Sequence, residues 1–272
     1  MPNFSPATEI AITYLLAIGE FLLCALPAIL WVVIGRQSWR EAFAWRRPMG
    51  REIMGAILLG FGLLLWADTI IVLQNHLWPS LIASQQSSSA FMLPLLVHHP
   101  WLFTLVMSGS AAIAEELFFR GPLQRALIKR LPTPVAIGVA SFLFAAVHLD
   151  LQGFLVRVML GVLLAVVVFR GKTLFPAIVL HFVYDVAAIG SSAWYVHVLG
   201  LKAVLRLSTQ ADMGANRGDL IGGSVVGTLL LIIGWRLCVS AWRLKLAQEE
   251  QAKLSMTDNG TVWPPAPAPS EE

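Results

Sequence analysis

The sequence Ala112-Ile113-Ala114-Glu115-Glu116-Leu117-Phe118-Phe119-Arg120 is the most informative segment of the chain. Two adjacent carboxylates and an arginine stand here in a run that is otherwise typical of a membrane helix. A charge at the centre of a bilayer costs roughly 3 kcal/mol on insertion scales, so such residues are functional candidates that need partners. Glu116 and Arg120 are four residues apart with the acid first, the favourable order for a helical salt bridge. Glu115 is rotated by about 100° from Glu116. We therefore predict a mainly structural Glu116–Arg120 pair and a working carboxylate at Glu115.

The composition indicates an integral membrane protein. Of the 272 residues, 57% are hydrophobic and only 13% are charged, and the mean hydropathy is +0.72. Soluble domains carry about 25% charged residues. Cys24 and Cys238 both lie in apolar runs, which favours neither a disulfide framework nor a thiolate metal site. The expected partners are the lipid bilayer and a membrane-associated protein or peptide, and no nucleic acid.

Hydropathy predicts an all-α, polytopic transmembrane bundle of about seven or eight spans, since each span needs about 20 apolar residues. Residues 1–245 are predicted to form this bundle, with the motif core at 101–190, and residues 246–272 a polar, proline-rich disordered tail. The choice between seven and eight spans depends on whether 190–219 crosses the membrane. The clear spans are predicted at 10–35, 53–73, 101–125, 132–149, 154–169, 174–189 and 220–239.

The distribution of basic residues predicts the orientation. The densest basic cluster follows the first span, whereas residues 74–100 contain no Lys or Arg. The positive-inside rule places the basic loop in the cytoplasm and the N-terminus outside. We predict a location in the bacterial inner membrane, with a first apolar run that is retained rather than cleaved as a signal peptide. The cluster consists of Arg36, Arg40, Arg46, Arg47 and Arg51.

Two further groups of polar residues lie inside predicted spans. The fourth span ends in Phe144-Ala145-Ala146-Val147-His148, and the sixth contains His181-Phe182-Val183-Tyr184-Asp185. His181 and Asp185 are one helical turn apart, so the carboxylate can orient the imidazole. Each group alone could be polar contact between helices. Together they favour a shared site, because an uncompensated buried polar group costs several kcal/mol. The other histidines, His76, His98, His99 and His197, are predicted to be solvated or interfacial.

In this order on successive membrane helices, the patterns Glu-Glu-x-x-x-Arg, Phe-x-x-x-His and His-x-x-x-Asp resemble the CPBP family. These are the CAAX-protease and bacteriocin-processing intramembrane proteases, also called the Abi or type II CAAX prenyl endopeptidase family. The family often has Asn where this chain has Asp185. The resemblance implies endopeptidase activity within the membrane. Eukaryotic members remove the C-terminal tripeptide of prenylated proteins, and bacterial members are linked to peptide maturation or bacteriocin immunity.

The resemblance allows two versions of the chemistry. In the first, Glu115 and His148 activate water, while His181, positioned by Asp185, stabilises the oxyanion. Glu116 and Arg120 complete the predicted catalytic set by fixing the helix. In the second, Glu115, His148 and His181 ligate a divalent metal such as zinc. The chain lacks the His-Glu-x-x-His signature of zinc proteases, so we favour the glutamate version.

Two other classes of function fit parts of the pattern. The chain could be a non-catalytic immunity or binding protein of the same fold, which would tolerate Glu115→Gln. It could also be a proton-coupled transporter that uses the same residues as a relay. A transporter of this kind predicts an internal repeat with matching broken helices, and the sequence has none.

Overall fold

The computed structural model of the chain describes residues 4–77, 94–199 and 217–258. Over these residues the chain is helical and contains no β-strand, so the predicted all-α bundle is confirmed. The helices, numbered in chain order, are α1 (Pro6–Ile34), α2 (Trp39–Ala42), α3 (Gly50–Leu77), α4 (Pro100–Ile128), α5 (Thr133–Ala146), α6 (Phe154–Gly171), α7 (Phe175–Leu199) and α8 (Arg217–Asp258).

Six of the described helices are long and apolar enough to cross a membrane, and the fourth predicted span is the one that differs. Helix α5 has 14 residues. It is therefore about 21 Å long, shorter than a hydrocarbon core of about 30 Å. The chain leaves the helix through Leu149, whose φ of 51° is left-handed. Helix α7 continues past the predicted end at 189. Residues 200–216, which decide between seven and eight spans, lie outside the described residues.

The last helix continues past residue 245, the predicted boundary between bundle and tail. Helix α8 has 42 residues and includes residues 246–258. The segment Ala247-Gln248-Glu249-Glu250-Gln251 consists of strong helix formers, which explains the continuation. The remainder of the predicted tail, 259–272, lies outside the described residues.

Helices α3 and α8 approach each other closely because glycines face each other across the contact. A Cβ atom at Gly62 would lie 2.9 Å from the Gly227 carbonyl oxygen, and one at Gly234 would lie 2.8 Å from the Gly55 carbonyl oxygen. Any larger residue would have to separate the two backbones. Small residues of this kind let membrane helices pack by van der Waals contact, and here they fix α8 against the bundle.

Two helices that border the site contain a π-helical turn beside a proline. The turn in α1 spans Phe21–Ala25 and precedes Pro27, and the turn in α4 spans Phe119–Leu123 and contains Pro122. Proline has no N–H and its ring clashes with the carbonyl four residues earlier, so the regular helix cannot continue through it. The kink in α4, with ψ of −110° at Gly121, comes directly after Arg120.

One end of the bundle, which we call the arginine-rich end, consists of residues 35–49, 129–132 and 171–174. Its loops are joined by hydrogen bonds: Arg46 donates to the carbonyl oxygens of Gly171 and Lys172, and Thr173 Oγ1 donates to the Arg46 carbonyl at 2.7 Å. The predicted basic cluster lies at this end. Its cytoplasmic location stays a prediction.

Glu52 ties the arginine-rich end to α8. Its carboxylate is fully buried and accepts from Arg46 Nη2 at 3.2 Å, from the Met49 backbone N–H at 2.7 Å and from Lys245 Nζ. We call Arg46, Met49, Glu52 and Lys245 the Glu52 clamp.

Candidate active site

Helix α4 brings both carboxylates of its motif into the interior of the bundle. Glu115 is 5% exposed and Glu116 is fully buried. The structure gathers all six predicted site residues into one region: α4 supplies Glu115, Glu116 and Arg120, the end of α5 supplies His148, and α7 supplies His181 and Asp185. The three motifs therefore meet in space, although up to 70 residues separate them along the chain.

Glu116 connects Arg120 to His181. Arg120 Nε lies 3.3 Å from Glu116 Oε2, an ion pair whose alignment falls outside hydrogen-bond geometry, and His181 Nδ1 lies 3.1 Å from Glu116 Oε1. From the sequence we predicted that Glu116 is mainly structural beside Arg120 and that Asp185 positions His181. In the structure, Glu116 holds the ring nitrogen of His181 that points away from Glu115.

Arg120 is buried among aromatic rings and backbone. Its guanidinium carbon lies 4.6 Å from the centroid of the Phe144 ring, and Nη2 donates to the Gly161 carbonyl on α6 at 3.3 Å. The kink at Gly121 and Pro122 follows immediately and turns the chain at this point. A charged side chain that is 2% exposed depends on these partners, so Arg120 anchors α4 to α6 as well as to Glu116.

His148 is oriented by the helix that precedes it. Its Nδ1 lies 2.8 Å from the Phe144 carbonyl oxygen, one turn earlier, and its Nε2 lies 3.7 Å from Glu115 Oε1. The Phe144 ring also contacts His148 and His181 edge-on, with ring centroids 5.3 and 5.6 Å apart. The Phe-x-x-x-His spacing thus explains the contact between His148 Nδ1 and the Phe144 carbonyl, which sets the tautomer of the ring. It also explains why the free Nε2 points toward Glu115.

His181 presents its second nitrogen to two carboxylates. Nε2 lies 3.9 Å from Glu115 Oε2 and 3.4 Å from Asp185 Oδ2. Asp185 therefore stands on the same side of the ring as Glu115. Asp185 borders the space in front of Nε2. From the sequence we predicted only that it orients the ring.

The two histidines leave Glu115 with unused hydrogen-bonding capacity. Distances of 3.7 and 3.9 Å are too long for direct hydrogen bonds, and separations of this size suit a bridging water. Glu115 Oε2 is buried and has no hydrogen-bond partner. Buried carboxylate oxygens are seldom left without one, so this atom requires a functional or solvent explanation.

Helix α1 adds two residues that the sequence did not assign to the site. Glu20 interacts electrostatically with His181 and Asp185, and Cys24 interacts with Glu115. Both lie at or inside the π-helical turn Phe21–Ala25. Such turns are frequent at functional sites. A glutamate in the middle of the first predicted span was the signal that could have identified this contribution.

His98 is exposed and His99 is partly exposed, as solvated or interfacial residues would be. Both contact Glu9 at the start of α1: His98 Nδ1 lies 2.8 Å from Oε1, and His99 Nε2 lies 3.6 Å from Oε2. Glu9 is 1% exposed, so the contact links a buried carboxylate of α1 to the segment before α4. The external position of these histidines stays a prediction, and the sequence did not indicate Glu9 as their partner.

The second version of the predicted chemistry requires three side chains that could hold a metal ion. Among the described residues, no group of three or more His, Cys, Asp or Glu side chains has the spacing to hold a metal ion. Glu115, His148 and His181 converge, but they do not form such a group.

Comparison with known proteins agrees with this geometry. Residues 97–187 match the family model described as Type II CAAX prenyl endopeptidase Rce1-like. The predicted family is confirmed for this region. The match contains all three motifs and covers about a third of the chain. At the family level it implies CAAX-type protease activity within a membrane. No curated protein and no solved structure matches the chain.

Proposed function

We propose that this protein is an intramembrane endopeptidase that hydrolyses a peptide bond of a membrane-associated protein or peptide. One observation carries the proposal: the buried Glu115 carboxylate faces the Nε2 atoms of two histidines without a direct hydrogen bond to either. Its Oε1 lies 3.7 Å from His148, and its unpartnered Oε2 lies 3.9 Å from His181, so a water can bridge these groups. The family match at 97–187 supports the reaction class.

In the proposed reaction, Glu115 and His148 bind the attacking water. Glu115 acts as the general base, because its carboxylate lies within 4 Å of the Nε2 atoms of both rings and can accept a proton from a water held there. As the water oxygen bonds to the substrate carbonyl carbon, its proton passes to Glu115. When the tetrahedral intermediate collapses, Glu115 returns that proton to the departing amine, so the reaction consumes one water and leaves the enzyme unchanged.

His181 is proposed to stabilise the oxyanion. Glu116 accepts from its Nδ1, which leaves an Nε2–H in the doubly protonated ring to donate to the developing negative charge. Asp185, 3.4 Å from Nε2, keeps that nitrogen aimed at the site before substrate binds. Arg120 compensates the charge of Glu116 and thereby holds the whole arrangement.

The experiment compares purified wild-type protein with Glu115→Gln in liposomes. Substrates are first identified as membrane proteins whose termini differ between cells that express the two forms. Peptide release by Glu115→Gln should fall by about 100- to 10,000-fold, the usual contribution of a general base, while the folded protein is retained. His148→Ala and His181→Ala should lose similar activity, and double variants should lose little more, because residues that act as a unit are not additive.

Two outcomes would overturn the proposal in different ways. Wild-type peptide release by Glu115→Gln would remove the protease assignment from this site and favour a non-catalytic immunity or binding protein. Activity that disappears on chelation and returns with added zinc would replace water activation by Glu115 alone with metal catalysis. The proposed mechanism predicts full activity after chelation.

A further inference from the structure

A second site lies at the arginine-rich end, apart from the candidate active site. A cavity of about 870 Å³ opens between the end of α1, the last turns of α4 and the end of α6. Neither His148 nor His181 lines it. Arg120 belongs to both regions, because it lines the cavity and pairs with Glu116 in the site.

The cavity is strongly cationic. Six Lys or Arg side chains line it against one carboxylate, that of Glu41, whose charge interacts with Arg125. Clusters of basic side chains between membrane helices, at the basic end of a bundle, are typical of binding sites for anionic lipid headgroups. The six are Arg36, Arg120, Arg125, Lys129, Arg130 and Lys172.

Buried polar atoms at the base of the cavity lack partners. Arg120 and Gln124 are each 2% exposed, and both line the cavity. Arg120 Nη1 and Gln124 Oε1 have no hydrogen-bond partner. A buried guanidinium N–H without an acceptor is costly, and a phosphate oxygen that entered the cavity would supply one.

The cavity wall is also partly apolar. Trp31, Ile128 and Phe169 line it together with the basic residues, and Trp31 and Phe169 are 53% and 39% exposed. Exposed aromatic side chains at the end of a membrane helix suit the boundary between headgroups and acyl chains. The lining therefore matches a molecule with an anionic head and an apolar tail better than it matches a free inorganic ion.

We propose that this cavity binds the phosphate of an anionic phospholipid. The basic side chains at the mouth neutralise the headgroup, the phosphate approaches Arg120 Nη1, and the first acyl carbons pack on Trp31 and Phe169. Because Arg120 also pairs with Glu116, the bound lipid stabilises the same arginine that holds the active-site helix.

The test uses the full chain in detergent, titrated with phosphatidylglycerol or phosphatidylcholine, with retained lipid counted by native mass spectrometry. Wild-type protein should retain phosphatidylglycerol and show a higher Tm with it than with phosphatidylcholine. Each cationic side chain near an anionic lipid surface contributes about fivefold in affinity. Arg125→Gln combined with Lys129→Gln should therefore weaken retention by about 25-fold.

Two further variants keep the test specific. Arg170→Gln removes an exposed charge at the same end that does not line the cavity, and it should retain phosphatidylglycerol as the wild type does. Arg36→Gln, on the opposite wall, should weaken retention about fivefold even if the double variant fails to fold.

Three results would overturn the proposal. The first is equal retention of the two lipids by wild-type protein. The second is equal loss in Arg170→Gln and Arg36→Gln, which would indicate attraction to the whole end of the bundle. The third is displacement of phosphatidylglycerol by millimolar inorganic phosphate, which would assign the cavity to a free anion instead of a lipid.

Discussion

Two buried glutamates in this protein have opposite surroundings. The carboxylate of Glu52, at the arginine-rich end, is bound by Arg46, Lys245 and the Met49 N–H. The carboxylate of Glu115 is nearly as buried, yet its Oε2 has no hydrogen-bond partner and its nearest histidine nitrogens lie 3.7 and 3.9 Å away.

The difference separates a carboxylate that holds structure from one that is available for chemistry. Each partner of Glu52 offsets part of the cost of burying it, so the group stabilises the loops and α8 that it joins. Glu115 lacks such compensation and faces the space where a water can bridge to His148 and His181. Glu116 resembles Glu52, because it is fully buried and bound by Arg120 and His181.

The largest effect is expected for Arg120→Ala, which tests whether Glu116 is a structural carboxylate like Glu52. Arg120→Ala removes the guanidinium that pairs with the buried charge of Glu116, and it also removes the contact with α6. The change should lower the free energy of unfolding by about 3–5 kcal/mol. The measurement is the amount of folded protein and its Tm after extraction, with the exposed Arg170→Ala as a control that should behave as wild type.

Arg120→Ala could instead leave abundance and Tm normal while peptide release disappears. That result would mean that Arg120 takes part in the reaction. Glu116, its partner, would then no longer be a purely structural carboxylate that differs from Glu115.

A smaller effect is expected from weakening the Glu52 clamp. Lys245→Ala removes one of the donors to a buried carboxylate, which should lower the free energy of unfolding by about 1–3 kcal/mol. Activity per folded molecule should be unchanged, because the clamp lies outside the site. Arg243→Ala on the same helix is exposed and serves as the matched control in thermal unfolding. Activity that fell more steeply than the folded fraction would show that the clamp also shapes the site.

Substitutions of Asp185 test whether this carboxylate positions His181. Asp185→Asn keeps an oxygen near His181 Nε2 and should retain most peptide release, in line with the Asn that the family often carries here. Asp185→Ala removes that oxygen and its 3.4 Å contact with Nε2, and it should lose about tenfold in rate. The two variants are compared by initial rates in liposomes. Equal rates for Asn and Ala would leave Asp185 without a positioning role.

The smallest effect concerns the turn that follows His148. Burial would raise the pKa of Asp150, but the Arg157 hydrogen bond at 2.6 Å and its positive charge outweigh it, so the pKa is lowered. A lowered carboxyl pKa adds stability above the unfolded pKa of about 3.8, and that stability is lost as the pH falls through the folded pKa. Asp150→Asn should therefore cost less than about 1 kcal/mol at pH 7, since the pair is partly exposed.

The difference in Tm between wild type and Asp150→Asn should disappear as the pH is lowered below the ordinary aspartate range. A difference that persisted there would mean that Arg157 does not act on Asp150 through charge.

The sequence predicted the helical bundle, and it singled out six residues that the structure brings into one region, because both depend on local signals. Apolar runs give the helices, and the spacings Glu-Glu-x-x-x-Arg, Phe-x-x-x-His and His-x-x-x-Asp place the side chains on single faces. Contacts between helices could not be predicted from apolar runs or from these spacings. The bond from Glu116 to His181, and the approach of Glu20 from α1, depend on how three helices pack.

The remaining differences have local causes that hydropathy does not register. Helix α5 is short because the chain turns at Leu149, and the kink after Arg120 arises from Gly121 and Pro122. The Glu52 clamp joins residues almost 200 positions apart, and a single glutamate near the start of a span gives no sign of it.

The most direct measurement compares Glu115→Gln with Glu52→Gln for both Tm and peptide release. Glu115→Gln should keep the wild-type Tm and lose peptide release by at least about 100-fold. Glu52→Gln should lower the Tm and keep the activity of each folded molecule. The reverse pattern, with Glu115→Gln unfolding the protein or still releasing peptide at the wild-type rate, would contradict the claim that Glu115 is held for chemistry.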